Sequence, residues 1–235
     1  TRQGTDILLN GKPIWLRGIS VHEDDRELGK VATEDDLRRR FEHARALGCN
    51  YLRLAHYPHH ERASELADEM GFLLWAEIPV YWAIAFDNPE TYADAENQLL
   101  ELIRRDRNRA SVVIWSIGNE NPDTDTRLTF MRNLAEAARR GDPTRLIAAA
   151  CLVNHTRKRI EDRLTEFLDV IGINEYYGWY DENIADLVKI GRNSQPDRPV
   201  VISETGADGA IGKNAPESGL FSTVYMTEVY RQQLK

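Results

Sequence analysis

Short apolar runs alternate along the chain with segments whose apolar residues recur every three or four positions. The short runs are rich in β-branched residues and predict buried strands, and the segments between them predict helices. This alternation is typical of a parallel sheet that is covered by helices. We predict seven strands, near Ile14–His22, Tyr51–His56, Leu73–Pro79, Val112–Asn119, Leu146–Cys151, Val170–Tyr177 and Pro199–Gly206.

Three of the predicted helices have recognisable patterns or ends. The first begins at Thr33, a typical cap followed by three acids that suit the helix dipole, and ends at Gly48. The helix around residues 128–138 ends at Gly141, where glycine, aspartate and proline follow one another. Residues 218–235 predict the helix that follows strand seven. Each helix is expected to pack one apolar face on the sheet.

Strand-helix units of roughly thirty residues predict an α/β protein with a TIM-type (β/α)8 barrel, whose usual length is roughly 250 residues. Seven units are recognised and strand eight is missing, so we expect an incomplete barrel that forms one domain over residues 1–235. A doubly wound open sheet competes with this fold, but residues 18–23, GISVHE, contain no glycine-rich phosphate loop. The unpaired edges of strands one and seven need a cover, and a homo-oligomer could provide it.

Composition narrows the class of partner. The chain is 42% hydrophobic and 29% charged, which suits a globular domain with a sizeable core. It has no apolar run long enough to span a membrane and does not start like a signal peptide. A net charge of -8 argues against nucleic-acid binding. We expect a soluble protein whose compartment stays open, with the cytoplasm slightly favoured.

Polar residues stand at the predicted carboxyl ends of the strands, where active sites of β/α barrels lie. Arg53, in the second predicted strand, would be costly to bury inside a barrel unless it is paired with a carboxylate, so it implies an acidic partner across the mouth of the barrel. In chain order the set is His22 with Glu23 and Asp24, Arg53 with His56, Glu77, Asn119 with Glu120, Asn174 with Tyr176, and Glu204. Together these side chains predict a polar site on an apolar scaffold.

Each of these residues also has a structural explanation. Glu120 could belong to the cap of the next helix, since residues 121–124 read NPDT. His22 and His56, taken singly, are more often structural than catalytic. Glu204 is harder to explain in this way, because it precedes a glycine-containing loop rather than a helix start. Taken jointly, two strand-tip glutamates, an arginine and an asparagine favour a functional site.

Two glutamates at strand ends suit the cleavage of a glycosidic bond, which uses one carboxyl group as acid and a second on the opposite side of the sugar. Arg53 would favour the charged form of Glu204, and that charge would favour a protonated Glu120. A separation of about 5 to 5.5 Å would make Glu204 the nucleophile of a retaining enzyme, whereas a wider gap would mean inversion.

Five segments resemble the catalytic barrel of glycoside hydrolase family two, in family order and along nearly the whole chain. They are LNGKPIWLRGISVHED, GCNYLRLAHYPH, RDRNRASVVIWSIGNEN, NEYYGWY and VVISETG, and NEYYGWY looks most like the β-glucuronidases of that family. The resemblance implies that Glu120 is the acid/base, Glu204 the nucleophile, Asn119 a ligand of the sugar 2-hydroxyl and Tyr176 a donor to Glu204. Further residues implied to line the sugar pocket or support the carboxylates are His22, Arg53, His56, Asn174 and Tyr180.

The resemblance implies a retaining hydrolase of terminal β-glycosidic bonds, with β-D-glucuronides as substrates. A β-galactosidase, a β-mannosidase, or a truncated barrel that only binds carbohydrate or serves as a scaffold remain alternatives. The expected partner is a small-molecule or oligosaccharide β-glycoside, without a cofactor. We expect no metal, because Pro79 stands where the β-galactosidase branch has a magnesium-binding histidine. The family also implies two β-sandwich domains before the barrel and a strand eight, both outside this chain.

Overall fold

The computed structural model describes residues 1–25, 27, 29–30, 33–181, 183–210, 212–213 and 219–233. The strands within these residues are β1 (Arg2–Gln3), β2 (Asp6–Leu9), β3 (Lys12–Ile14), β4 (Gly18–Val21), β5 (Tyr51–Leu54), β6 (Leu73–Glu77), β7 (Val112–Asn119), β8 (Leu146–Cys151), β9 (Val153–Asn154), β10 (Arg159–Ile160), β11 (Val170–Asn174) and β12 (Val200–Glu204). The helices are α1 (Glu34–Ala46), α2 (Glu61–Met70), α3 (Pro89–Asp106), α4 (Asp125–Gly141), α5 (Asp186–Ser194) and α6 (Thr223–Gln233), with a 3-10 helix at Arg163–Phe167.

Seven parallel strands form a nearly closed barrel in the described part of the chain. Their order is β4-β5-β6-β7-β8-β11-β12, so each barrel strand pairs with its neighbours along the chain. One seam, between β4 and β12, is not sealed by a backbone ladder. The Ser20 hydroxyl donates across it to the carbonyl oxygen of Ser203 at 3.0 Å. The predicted incomplete TIM-type barrel is confirmed.

The helices pack their apolar faces on the outside of this barrel. In α1 the Thr33 side chain accepts the N–H of Asp36, as predicted for a cap, and Leu37 and Phe41 are buried. In α4 the helix ends at Gly141 as predicted. α6 covers most of the predicted last helix, of which residues 218, 234 and 235 lie outside the described residues. None of the described helices is long and apolar enough to cross a membrane.

A second, smaller apolar cluster fills the barrel interior below the strand ends. Trp75 is fully buried there with Ile114 and Ala148. Its ring reaches Gly172, where an added Cβ would stand 2.9 Å from the indole. The Arg53 guanidinium lies 5.7 Å from the centre of the Trp75 ring. The interior core therefore supports the polar residues above it.

The predicted start of strand one is wrong. Ile14 lies in β3, which pairs with β2 in a separate antiparallel sheet of three short strands, and the barrel strand begins at Gly18. The physical reason is the tight turn between β2 and β3, where Asn10 has a φ of 51° and Gly11 a φ of 77°. This turn brings Ile14 back alongside Ile7, so that it pairs with β2 and does not belong to the barrel strand. An Asn-Gly pair in this conformation is typical of a tight β-hairpin. The prediction overlooked that signal.

Candidate active site

A pocket of about 680 Å³ opens at the carboxyl ends of the barrel strands. This volume lies within the range of small-molecule sites. Five residues predicted from the sequence line the pocket: Glu120, Asn174, Tyr176, Tyr180 and Glu204. They come from three segments, at the ends of β7, β11 and β12. The topology of the barrel is what brings these distant segments together.

Arg53, at 0% exposure, lies beneath the pocket between two carboxylates. Its Nη1 is 2.5 Å from Glu204 Oε1, while its Nε and Nη2 donate to the two oxygens of Glu77 at 3.2 and 3.1 Å. Burial opposes the charge of Arg53, but the negative charges of Glu77 and Glu204 outweigh it and raise the pKa of the guanidinium. Arg53 was predicted to have one acidic partner, and the structure gives it two, Glu77 and Glu204.

Glu77 is fully buried, and its hydrogen-bond partners among the described residues are Arg53, Trp75 and the His56 ring. Its Oε2 accepts the indole N–H of Trp75 at 2.9 Å, and its Oε1 lies 2.7 Å from His56 Nδ1. Burial alone would raise the pKa of Glu77, but the charge of Arg53 and the contact with His56 hold the pKa below its ordinary value. Glu77 is therefore a permanent counter-ion for Arg53.

Glu204 is held by charged and strongly polar donors. Besides Arg53, the Tyr176 hydroxyl donates to its Oε2 at 2.5 Å, and His56 Nε2 is 3.4 Å from its Oε1. Burial and the bond to Glu204 raise the pKa of Tyr176, so this hydroxyl keeps its proton. Glu204 is thus bound at one oxygen by a cation and at the other by a neutral hydroxyl.

Glu120 has different surroundings. Asn174 Nδ2 donates to its Oε1 at 3.1 Å and Trp82 Nε1 donates to its Oε2 at 3.0 Å. Both donors are neutral, whereas Glu204 contacts the Arg53 cation. Glu120 is not the cap of the next helix, because the Thr124 side chain fills that position in α4. The two pocket glutamates therefore differ in the charge of their partners.

The backbone around Glu120 is tightly constrained. Glu120 has a φ of 51°, in the left-handed region, and its N–H donates to the Ala150 carbonyl at 2.9 Å. Before it, Gly118 has room only for hydrogen, since an added Cβ would meet Met131 and Asn121 closer than side chains approach. The strand end is thus shaped to present Asn119 and Glu120 at the pocket.

Comparison with known proteins decides the family. The family described as "Glycosyl hydrolases family 2, TIM barrel domain" matches residues 2–230. The chain belongs to glycosyl hydrolase family 2. This agrees with the resemblance seen in the five sequence segments.

Among curated relatives of this family 2 chain, a β-glucuronidase of Paenibacillus borealis is 31% identical, with 97% of this chain and 41% of the relative covered. A β-glucuronidase of Rattus norvegicus is 30% identical over 94% of this chain and 35% of its own length. The chain therefore spans less than half the length of these curated relatives.

Two solved family 2 structures are similar in fold. The β-glucuronidase of Ruminococcus gnavus in complex with uronic isofagomine has a TM-score of 0.89 and 28% identity, covering 99% of this chain and 43% of that one. The β-galacturonidase of Eisenbergiella tayi bound to galacturonate has a TM-score of 0.90 and 27% identity, with coverage of 99% and 43%. The barrel of this chain is therefore a family 2 barrel of the β-glucuronidase-like group.

Asn119 lies just below the pocket of this family 2 barrel and is 4% exposed. Its Oδ1 accepts from Arg53 Nη2 at 2.8 Å and from Asn174 Nδ2 at 2.9 Å. Asn174 in turn accepts the Ser203 hydroxyl at 2.7 Å. The two asparagines thus link the surroundings of Glu120 to those of Glu204.

The remaining predicted residues lie at the edges of the site. His56 contacts both Glu77 and Glu204, and the ring of His22 is 5.4 Å from that of His56. Burial and the charge of His56 lower the pKa of His22. Tyr180 is 80% exposed at the pocket rim, 5.6 Å from the Tyr176 ring. The structure brings His56 and Tyr180 to the site and leaves His22 beside it.

Several residues of the site were missed in the sequence. Trp82 was not among the site residues predicted from the sequence, yet its Nε1 donates to Glu120 Oε2. Other pocket residues that were not predicted are His155, Trp179, Asp181, Asp208 and Tyr230. Trp179 and Asp181 could have been found from their position within and directly after NEYYGWY. Trp82 could have been noted because it lies five residues beyond Glu77, just after the end of β6.

Glu175, the second residue of NEYYGWY, is a further charged group near Glu120. It is 1% exposed, and its Oε2 has no hydrogen-bond partner within the described residues. Burial and the charge of Asp181 raise its pKa to about 7. Glu175 is therefore a buried acid whose charge changes near neutral pH.

The magnesium site of the β-galactosidase branch does not fit this chain. Both oxygens of Glu77 are already bound by Arg53, and Trp75 and His56 each contact one of them. Pro79, two residues on, offers no side-chain donor atom for a metal. Over the described residues, no group of three or more His, Cys, Asp or Glu side chains is arranged to hold a metal ion.

Proposed function

We propose that this barrel hydrolyses terminal β-glycosidic bonds with retention of configuration, and that β-D-glucuronides are its substrate class. The observation that carries the proposal is the unequal surroundings of two pocket glutamates. Glu204 is bound by Arg53 and by Tyr176, while the donors to Glu120 among the described residues, Asn174 and Trp82, are both neutral. Such a difference suits one carboxylate that stays ionised and one carboxyl group that exchanges a proton.

In the first step, Glu204 Oε1 or Oε2 attacks the anomeric carbon while the bond to the leaving group breaks. Arg53 and Tyr176 hold the carboxylate in a fixed orientation, which lowers the entropy cost of the attack. Glu120 gives its proton to the departing oxygen. The products of this step are the free aglycone and a glycosyl ester of Glu204.

In the second step, the ionised Glu120 removes a proton from a water molecule that attacks the same anomeric carbon. The ester bond breaks, and Glu204 leaves as a carboxylate that Arg53 and Tyr176 stabilise. The Asn119 amide group would bind the sugar 2-hydroxyl, a contact that strengthens in the transition state. Two inversions at one carbon give net retention.

The sugar is assigned from the relatives. The curated relatives named above are β-glucuronidases, which favours a β-D-glucuronide over a galactoside or mannoside. The similarity to the Eisenbergiella tayi β-galacturonidase makes a β-galacturonide the second candidate. Both candidates carry a uronic carboxylate. A barrel that binds carbohydrate without turnover is the alternative from another functional class.

The test is the release of a fluorescent aglycone from five β-glycosides: glucuronide, galacturonide, galactoside, mannoside and glucoside. We expect the glucuronide to give the highest kcat/KM. In Glu204→Gln, turnover should fall by more than about a thousandfold, because an amide cannot act as the nucleophile. Mass spectrometry after treatment with a 2-fluoro-glucuronide should find one sugar attached to a peptide that contains Glu204.

Glu136→Gln is the matched control, because it makes the same chemical change on an exposed helix position. It should hydrolyse the glucuronide as the parent does. Preference for a neutral sugar would contradict the uronide assignment. A folded parent that binds glucuronate but turns over none of the five substrates would favour the binding barrel instead.

A further inference from the structure

Trp82 is held at three points although its side chain is 63% exposed. Its backbone N–H donates to the Asn119 carbonyl at 2.9 Å, and its own carbonyl accepts from Asn121 Nδ2 at 3.0 Å. Its indole N–H donates to Glu120 Oε2 at 3.0 Å. All three contacts are with consecutive residues at the end of β7. An exposed tryptophan in rim packing would not need them.

Backbone conformation gives a second, independent observation. Trp82 has a φ of 55° and Glu120 a φ of 51°. Bulky L-residues rarely adopt this left-handed region, because it crowds the Cβ atom. Residues held in such conformations cluster at functional sites, where the surrounding structure must impose them. Here two of them meet through a side-chain hydrogen bond.

We propose that Trp82 is a positioning residue for the acid/base step, which holds Oε2 of Glu120 so that the carboxyl proton points into the pocket. The inference rests on the proposed role of Glu120. Asn174 holds the other oxygen, and both partners are N–H donors that cannot accept a proton. Glu120 is the acceptor in both of these hydrogen bonds, so neither of them takes up the carboxyl proton, and that proton remains available to the leaving group.

The contact also changes in strength during the reaction. An N–H donor binds a carboxylate more strongly than a neutral carboxyl group. The Trp82 bond therefore strengthens as Glu120 loses its proton, which is when the glycosidic bond breaks. The rate increase that this hydrogen bond provides should grow with the basicity of the leaving oxygen, because a basic leaving group depends most on receiving the proton. This dependence separates a positioning role from simple substrate contact.

The experiment compares the parent with Trp82→Phe on aryl and alkyl β-glucuronides whose leaving groups range from acidic phenols to simple alcohols. Phenylalanine keeps an aromatic ring and removes the N–H. We expect kcat/KM to fall about tenfold for the alcohols and less than about threefold for the most acidic phenol. An equal loss across the series, or none, would overturn the inference while the parent's turnover leaves the proposed function standing.

A second measurement does not depend on turnover. Tryptophan emission at neutral pH should differ between the parent and Glu120→Gln, because the substitution changes the acceptor of the Trp82 indole N–H. That difference should vanish when the same substitution is made in Trp82→Phe, which has no indole at this position. It should remain in Trp15→Phe, the control at an exposed position outside the pocket. Equal emission from the parent and Glu120→Gln, or a difference that survives in the Trp82→Phe background, would contradict the proposal.

Discussion

Arg53 and Glu204 join the second barrel strand to the last one, across the unsealed seam. Arg53 lies on β5 and Glu204 ends β12, and their Nη1 and Oε1 atoms are 2.5 Å apart. Arg53 Nη1 also lies 3.5 Å from the carbonyl oxygen of Ser203, which accepts from Ser20 as well. The ion pair that orients the proposed nucleophile therefore also helps to close the barrel.

The first prediction concerns Arg53→Met. The substitution leaves Glu77 buried without its cation, and breaking a buried pair in this way costs about 3–5 kcal/mol. We expect the free energy of unfolding in urea at neutral pH to fall by about this amount, and hydrolysis to be lost because Glu204 is no longer oriented.

The double variant Arg53→Met/Glu77→Gln separates these two effects. The Glu77→Gln change removes the buried carboxylate that has lost its cation, so most of the lost free energy of unfolding should return. Glucuronide hydrolysis should stay lost, since Glu204 still lacks Arg53. A single variant as stable as the parent, or an active double variant, would be incompatible with this account of the pair.

The second prediction concerns pH and Glu175. Its pKa is about 7 in the folded protein against an ordinary value of 4.5. Between these values the folded state binds more protons than the unfolded chain, so stability falls as the pH rises through this window. The loss is complete above pH 7 and absent below 4.5.

Glu175→Gln removes this penalty. We expect the variant to be more stable than the parent by about 1–2 kcal/mol at about pH 8, and nearly equal to it at about pH 4. Urea unfolding at the two pH values measures both differences. A gain of the same size at both would assign the effect to packing rather than to charge.

The third prediction concerns Gly118→Ala. Its methyl group would collide with Met131 and Asn121 and lie 3.2 Å from the carbonyl oxygen of Val80. Met131 can yield, so we expect a stability loss of only about 1–3 kcal/mol, with a larger relative loss of kcat because Glu120 is displaced. Gly191→Ala, which has open space in α5, should be slightly stabilised and fully active. Equal kinetics in the two variants would rule out this role of Gly118.

The fourth prediction concerns Glu120→Ala. Turnover of glucuronides with basic leaving groups should fall by about 10²–10⁴-fold, because the proton donor is gone. Added azide should restore release of an activated phenol and yield a β-glucuronyl azide, since azide needs no general base. Chromatography and NMR of the product identify the anomer. An α-azide, or no azide product, would contradict a retaining acid/base role for Glu120.

The barrel and the convergence of its strand ends could be predicted because they follow from local patterns. Val112–Asn119 is a buried run that ends in a polar pair, and parallel strands place such ends at one edge of the sheet. The same reasoning placed Glu204 and Arg53 near each other. The start of strand one was wrong, because the apolar residues Ile14, Trp15 and Leu16 lead from β3 towards the barrel strand without a polar break, although the barrel strand begins only at Gly18.

Trp82 and Glu175 could not be assigned in this way. The contact of Trp82 with Glu120 requires a left-handed backbone at both residues and a pairing between two loops, which no local pattern encodes. The raised pKa of Glu175 arises from burial and from Asp181, six residues further on. Properties that depend on the joint placement of several loops emerge only in the folded chain.

The pairing of Arg53 with Glu77 as well as Glu204 bears on the charge balance of the proposed covalent intermediate. Arg53, Glu77 and Glu204 together carry one positive and two negative charges while the enzyme is free. Esterification of Glu204 would neutralise one negative charge, and the buried group would then be a balanced pair of Arg53 and Glu77. The cation thus keeps a partner throughout the cycle. In the proposed mechanism, Glu77 would be the resting counter-ion of Arg53 while Glu204 gives up its charge and recovers it.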